Sequence, residues 1–217
     1  MRRYDAVVFD LDGTLLDTSE GIGRSVAYVI KTMKYPEVSD EVMRTFIGPP
    51  IQRSFARVFG LDQDEANAAA DMFRTRYKES DILLARPYDG IFDTIRSLSK
   101  AGVRSAVATY KRQDYAEKIL VHFGFDKVCD VICGSDLEGK LTKKDIIENA
   151  IRQLGVSDKS RAVMVGDSDN DAIGAAECGV DFIAATYGFG FASGEDANEF
   201  SNIGAADTPD GILRYIL

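Results

Sequence analysis

Two carboxylates one residue apart, Asp10 and Asp12, stand in the stretch Val7-Val8-Phe9-Asp10-Leu11-Asp12-Gly13-Thr14-Leu15-Leu16-Asp17. Val7, Val8 and Phe9 suit a strand buried on both faces. Gly13 lets the chain turn sharply just after the second acid. The pair therefore falls at the carboxyl end of a strand, where open α/β sheets bind ligands. Carboxylates so placed repel one another unless a cation or a proton separates them. The chemistry they suit is an oxygen-lined Mg²⁺ site beside an aspartate nucleophile. Ordinary turns also favour Asp and Gly. A calcium loop shares the D-x-D-G opening, but its closing bidentate Glu and flanking helices do not fit this stretch.

Val163-Met164-Val165-Gly166-Asp167-Ser168-Asp169-Asn170-Asp171 repeats the theme. Asp167 and Asp171 lie four apart across a turn into a helix, so both can face the strand-end crevice. Clustered carboxylates suit a hard divalent cation. Ser168, Asp169 or Asn170 could cap the helix, but the stretch carries more acid than capping needs. Thr109 closes the run Ala106-Val107-Ala108. At a strand end its hydroxyl and the amides after it can hold a phosphoryl oxygen; otherwise it is an ordinary β-branched strand residue. Lys143 and Lys144 open a predicted helix, where the helix dipole favours anions. One of them is a phosphate ligand or both belong to a solvated face, and at most one of the adjacent pair points at the site.

The elements that must position these groups follow from periodicity. Ile22, Val26, Val29, Ile30 and Met33 share one helical face, and Pro36 ends that helix. A second helix is predicted from Asp40 to Phe46 with Ser39 as N-cap. A third carries Ile51, Phe55, Val58 and Phe59 and stops at Gly60, and a fourth runs from the Asp62/Glu65 capping box to about Glu79. From Pro87 onward strands alternate with helices. Strands are predicted at 104–109, 128–133, 161–165 and 181–185. Helices are predicted around Ile91–Leu98, Ala116–Phe123, Lys143–Leu154 and Asn170–Cys178, with a last one from Pro209. The Gly/Ala/Ser-rich stretch 188–206 is expected to be mostly loop. Such alternation implies a parallel, Rossmann-like sheet with right-handed crossovers. The fold class is thus an α/β core, residues 1–16 and 87–217, with a small four-helix bundle inserted at 17–86. A module hinged beside the strand ends can close over them and exclude water.

The net charge of −9 and the pI near 4.7 argue against a general nucleic-acid or anionic-membrane surface. Cys129, Cys133 and Cys178 are odd in number and form no C-x-x-C pair, which fits buried, reduced thiols. Met1-Arg2-Arg3 leads straight into the first strand without a signal pattern. No apolar run approaches membrane-spanning length. The expected setting is cytoplasmic, as a monomer or homodimer.

D-L-D-G-T-L-L-D-T, Thr109, the helix-start lysine and G-D-S-D-N-D, in this order, resemble the four motifs of the haloacid dehalogenase (HAD) superfamily across essentially the whole chain. The helical insert resembles that family's C1 cap. Phe46-Ile47-Gly48-Pro49-Pro50, Pro87-Tyr88-Asp89-Gly90 and His122-Phe123-Gly124-Phe125 resemble its phosphoglycolate-phosphatase-like and 5′-nucleotidase-like branch. The resemblance implies a Mg²⁺-dependent phosphatase acting on a small phosphorylated metabolite, of the phosphoglycolate or nucleoside monophosphate class. Asp10 would be the nucleophile that forms an aspartyl phosphate, and Asp12 the general acid and then base. Thr109 and Lys143 would hold the phosphoryl oxygens, Lys143 being preferred because K-x-D-I-I matches the family pattern. Asp10, the backbone carbonyl of Asp12, and Asp167 would bind the metal, with Asp171 supporting it directly or through water. Tyr110 stands where the family often has Ser, and is expected to narrow the substrate entrance. Arg53 and Phe46 are candidate substrate contacts in the insert, ahead of Tyr77 and Lys78. His122, the only histidine, reads as packing or helix-dipole compensation.

Other chemistries of the scaffold compete. A dehalogenase would need neither Asp12 nor the metal. A phosphonate hydrolase would need a Schiff-base lysine in the insert, where Lys31, Lys34 and Lys78 occur. A phosphomutase would use the same acids and differ by retaining a bisphosphate, and a pyrophosphatase stays open because pyrophosphate is among the possible substrates. A non-catalytic protein would have lost Asp10 or a metal acid.

Overall fold

The computed structural model describes residues 3–191 and 193–217. Met1 and Arg2, part of the predicted direct entry into the first strand, lie outside them, as does Ala192 in the stretch 188–206. Among the described residues the chain forms, in order, β1 (Ala6–Phe9), β2 (Leu16–Asp17), α1 (Ser19–Met33), α2 (Asp40–Arg44), α3 (Ile51–Phe59), α4 (Gln63–Arg76) and β3 (Arg86–Pro87). It continues with α5 (Ile91–Lys100), β4 (Arg104–Arg112), α6 (Gln113–Phe123), β5 (Val131–Ser135), α7 (Lys143–Gln153) and β6 (Ala162–Gly166). It closes with α8 (Asp169–Cys178), β7 (Asp181–Ala185), α9 (Gly194–Ala197), β8 (Gly204–Ala206) and α10 (Leu213–Ile216). Packing divides the chain into two units, Met1–Leu16 with Pro87–Leu217, and Asp17–Arg86.

The first unit is built on a six-stranded sheet in the order β5-β4-β1-β6-β7-β8, with parallel neighbours. Side chains alternate across it. Ala6, Val8, Ala106, Ala108, Met164, Phe182 and Ala184 pack with Ile146, Ile147, Ala150 and Ile151 of α7 and Ala172 and Ala175 of α8. Val7, Phe9, Val107, Val163 and Val165, of opposite parity, are equally buried. Burial on both faces explains why these strands read as continuous apolar runs. β1 pairs with β4 on one side and β6 on the other, so the strand order reverses there. That reversal opens a crevice at the carboxyl ends of β1, β4 and β6.

The structure corrects two local expectations. β4 does not end at Thr109 but runs to Arg112, because its register against β5 shifts between Ala108 and Arg112 and pairing resumes at Arg112 with Ser135. β5 begins at Val131 rather than Val128. The residues before it form a 3₁₀ turn over Phe125–Lys127, and Asp130 then bonds the β4 start through its amide (2.8 Å to Ser105 O) and its carboxylate (3.0 Å from Ser105 N). The stretch 188–206 is mostly loop, as expected, and holds the short α9 and the edge strand β8.

The second unit is helical. Ile22, Val26, Val29 and Ile30 line the buried face of α1. Ser39 caps α2, its hydroxyl accepting from the Val42 amide, and Asp62 and Glu65 form the capping box of α4. Tyr35, Phe46, Phe55 and Phe59 form an aromatic cluster with centroids 4.7–6.4 Å apart. α4 gives way to a π-helical turn, Tyr77–Asp81, which delivers Asp81 into the interior. There Asp81 accepts hydrogen bonds from Arg76 Nε and Ser25 Oγ, both at 2.9 Å.

Candidate active site

Asp10, Asp12, Lys143, Asp167 and Asp171 are each delivered by an element end. β1 runs out at Phe9 and places Asp10 and Asp12, 6% and 7% exposed, at the crevice. The Asp10 amide still bonds Val165 O at 2.9 Å, which ties the acid to the end of β6. β6 supplies Asp167, and the first turn of α8 supplies Asp171. α7 starts at Lys143, behind a Thr142/Asp145 capping box that fixes its first turn. Lys143 is buried, whereas Lys144 is half-buried.

These groups converge. Lys143 Nζ lies 2.5 Å from Asp10 Oδ1 and 2.7 Å from Asp171 Oδ1. The other Asp171 oxygen accepts from the Ser168 amide (3.1 Å) and hydroxyl (2.8 Å), so one carboxylate both caps α8 and meets the lysine. One carboxylate oxygen from each of Asp10, Asp167 and Asp171 falls within 4.8 Å of the others, an arrangement open to a shared metal ion. Thr109, 1% exposed, accepts the Lys111 amide at 3.2 Å.

The electrostatics fit a cation. Burial pushes the Asp10 carboxyl up to about 7, with the charges of Asp171 and Asp12 adding to the rise and Lys143 opposing it. Asp167 is raised well above the usual carboxylate range by burial and then by the charges of Asp171 and Asp10, against two amide hydrogen bonds. Burial alone would discharge Lys143, but Asp10 and Asp171 outweigh it and hold the ammonium above its ordinary value. The surplus is therefore of negative charge. A hard divalent cation relieves it without protonating the acids, and the all-oxygen donor set suits Mg²⁺.

Two features of the site escape the sequence reading. Lys111, in the extension of β4, places Nζ 3.0 Å from Asp12 Oδ1, with only 7% of its side chain exposed. The Gly188-Phe189-Gly190 loop wraps Asp167. The amides of Phe189 (2.7 Å) and Gly190 (3.2 Å) donate to Asp167 Oδ2, and that of Phe191 donates to Asp167 O at 2.8 Å. A Cβ on Gly188 would stand 2.4 Å from both Asp167 Cβ and Gly13 O, so only glycine permits this approach. The signal was a Gly-x-Gly separated by two residues from the end of a predicted strand.

Tyr110 spends its hydroxyl on the Lys143 amide (3.0 Å), and the Lys143 ammonium lies 5.7 Å from its ring centroid. It thus anchors the start of α7. In the helical unit Arg53 is exposed on α3. Phe46 is buried against Phe55, and Tyr77 is buried and stacked on Phe73, so both serve packing there; Lys78 is exposed. His122 is exposed in the last turn of α6 beside Phe123.

Residues 7–185 match the haloacid dehalogenase-like hydrolase family. The chain belongs to that family. It is 35% identical to a 5′-nucleotidase of Pseudomonas aeruginosa, over 87% of this chain and 85% of the relative. It is 34% identical to the tyrosine-protein kinase PtkA of Mycobacterium tuberculosis, over 97% of this chain and 72% of the relative. A crystal structure of a predicted phosphatase from Clostridium acetobutylicum superposes with a TM-score of 0.89 at 35% identity, covering 97% of this chain and 99% of that one. The chain is a HAD-type phosphatase of α/β fold. No helix among the described residues is long and apolar enough to cross a membrane.

Proposed function

We propose that this HAD-type phosphatase hydrolyses a small phosphorylated metabolite, of the phosphoglycolate or nucleoside monophosphate class, with Mg²⁺ and through an aspartyl phosphate. The observation that carries the reading is the buried meeting of Asp10, Asp167 and Asp171 with Lys143 at the strand ends.

Asp10 attacks phosphorus in line, forming the Asp10–phosphoryl bond as the bond to the leaving oxygen breaks. Asp12 gives its proton to that oxygen. It then takes one from water, which attacks the phosphoryl group and frees Asp10. Thr109 and Lys143 hold the equatorial phosphoryl oxygens and offset the charge gathered there. Asp10, the Asp12 carbonyl and Asp167 would hold Mg²⁺, supported by Asp171. When bound, the ion supplies the positive charge that lets an anionic ester approach Asp10. Tyr110 keeps Lys143 in register from the backbone side, and Arg53 is the candidate substrate contact from the helical unit. The reading calls for no nucleic acid and no membrane, and holds for a monomer or a homodimer. The three free cysteines, all buried, suit a reducing, cytoplasmic setting.

The test is phosphate release from a panel of small phosphate esters, with Mg²⁺ and with EDTA, beside Asp10→Asn. Mg²⁺-dependent release that Asp10→Asn abolishes is expected. No release from any ester by a folded protein would overturn the reading in favour of a phosphomutase, a pyrophosphatase or a phosphonate hydrolase.

A further inference from the structure

Two buried lysines serve this site, and they divide it. Lys143 sits on Asp10 and Asp171, the nucleophile side. Lys111 sits 3.0 Å from Asp12 Oδ1, the carboxylate that must reach the leaving oxygen. An ammonium held against that acid therefore stands on the leaving-group side. Its burial is costly, since charge is taken out of water. Orienting Asp12 needs only a neutral donor, which a serine, an asparagine or a backbone amide would supply at lower cost. An ammonium has three donors in different directions and can bridge Asp12 and a substrate anion at once.

We propose that Lys111 is a specificity-determining residue that binds an anionic group carried by the leaving group close to the scissile oxygen. This rests on the phosphatase reading above and narrows its substrate. The favoured class is a short ester or anhydride whose leaving group bears a carboxylate or a second phosphate. A nucleoside monophosphate, whose nucleoside leaving group carries no anionic group, is disfavoured.

The experiment compares kcat/KM for 2-phosphoglycolate, pyrophosphate and 2-hydroxyethyl phosphate in the Mg²⁺-loaded wild type, Lys111→Gln and Lys111→Arg. Hydroxyethyl phosphate matches phosphoglycolate in length but has a neutral leaving group. Ratios between substrates on one preparation cancel any loss of folded protein. The wild type is expected to prefer at least one anionic substrate, and the larger preference names the anion as carboxylate or phosphate. Lys111→Gln should slow all three and cut the preference roughly 30-fold, the worth of one charge-assisted hydrogen bond. Lys111→Arg should keep part of it. Equal slowing of all three by Lys111→Gln would overturn the assignment and leave Lys111 as a positioning residue for Asp12. A wild type that turns over hydroxyethyl phosphate with no preference for either anion would overturn it too, with the phosphatase reading intact. Hydrolysis of none of the three, when other esters in the panel are hydrolysed, would overturn the assignment alone; hydrolysis of no ester at all would overturn both.

Discussion

Asp81 in the helical unit and the Asp10–Asp167–Asp171 group in the sheet unit are all nearly inaccessible to solvent, yet their surroundings differ in kind. Asp81 is one carboxylate matched by one guanidinium and one hydroxyl. Its charge is balanced and its oxygens are occupied, which is how folded proteins tolerate a buried acid. In the sheet unit four carboxylates, counting Asp12, face two ammoniums, those of Lys111 and Lys143. When all are ionised, two negative charges remain, which is the charge of one divalent cation. A balanced buried acid holds a fold together; an unbalanced cluster at strand ends asks for something from outside. Structural ion pairs and functional sites both perturb pKa values, and the count of charges separates them here.

The contrast breaks first at Arg76. Arg76→Met strands the Asp81 charge in the interior and should cost about 3 kcal/mol. Urea unfolding would measure this, and added Mg²⁺ should not restore it. A smaller loss, about 2 kcal/mol, is expected for Gly188→Ala, because its Cβ must displace Asp167 or the Gly13 carbonyl. The same substitution should weaken Mg²⁺ binding, which a thermal-shift titration with the ion would reveal.

The pH dependence of the metal-free protein carries the sign of the unbalanced cluster. The folded Asp10 carboxyl is raised from 3.8 to about 7. Between those values the folded state holds a proton that the unfolded chain has lost. Stability should therefore fall as pH rises from about 4 to about 7, by up to about 1.4 kcal/mol per pH unit for the Asp10 proton, and Asp167, raised as well, adds to the fall in the same direction. Chemical denaturation in EDTA at several pH values would trace the slope, and a flat profile would contradict it. The smallest effect has the opposite sign to the first. Asp167→Asn removes one charge from the cluster and keeps an oxygen for the Phe189 and Gly190 amides. In EDTA near pH 7.5 it should be more stable than the wild type by about 1 kcal/mol, read from paired thermal melts.

Much of this was legible before any coordinates. The apolar strands that lead to Asp10 and Asp167, the capping box at Asp62, and the glycine stops at Gly60, Gly124 and Gly179 are local patterns with local causes. The site features that escaped depend on register and long-range approach. Lys111 drew no notice because the run Ala106-Val107-Ala108 stops being apolar at Thr109. Only the register shift against β5 carries the strand on to it. The Gly188–Gly190 loop has no periodicity, since its function lies in backbone amides aimed at an acid 22 or 23 residues earlier. Phe46, expected as a substrate contact beside Arg53, is instead buried. Its place just before the Gly48-Pro49-Pro50 break does not reveal the neighbour in space, Phe55, that it packs against.

The central claim, that the surplus of buried acid in the sheet unit is a divalent-cation site, is tested most directly by calorimetric titration of Mg²⁺ into wild type and Asp167→Asn at pH 7.5. The account predicts one ion bound per chain in the wild type and affinity lowered at least about tenfold in the variant. Equal affinity in the two proteins, or no binding to a folded wild type, would contradict it.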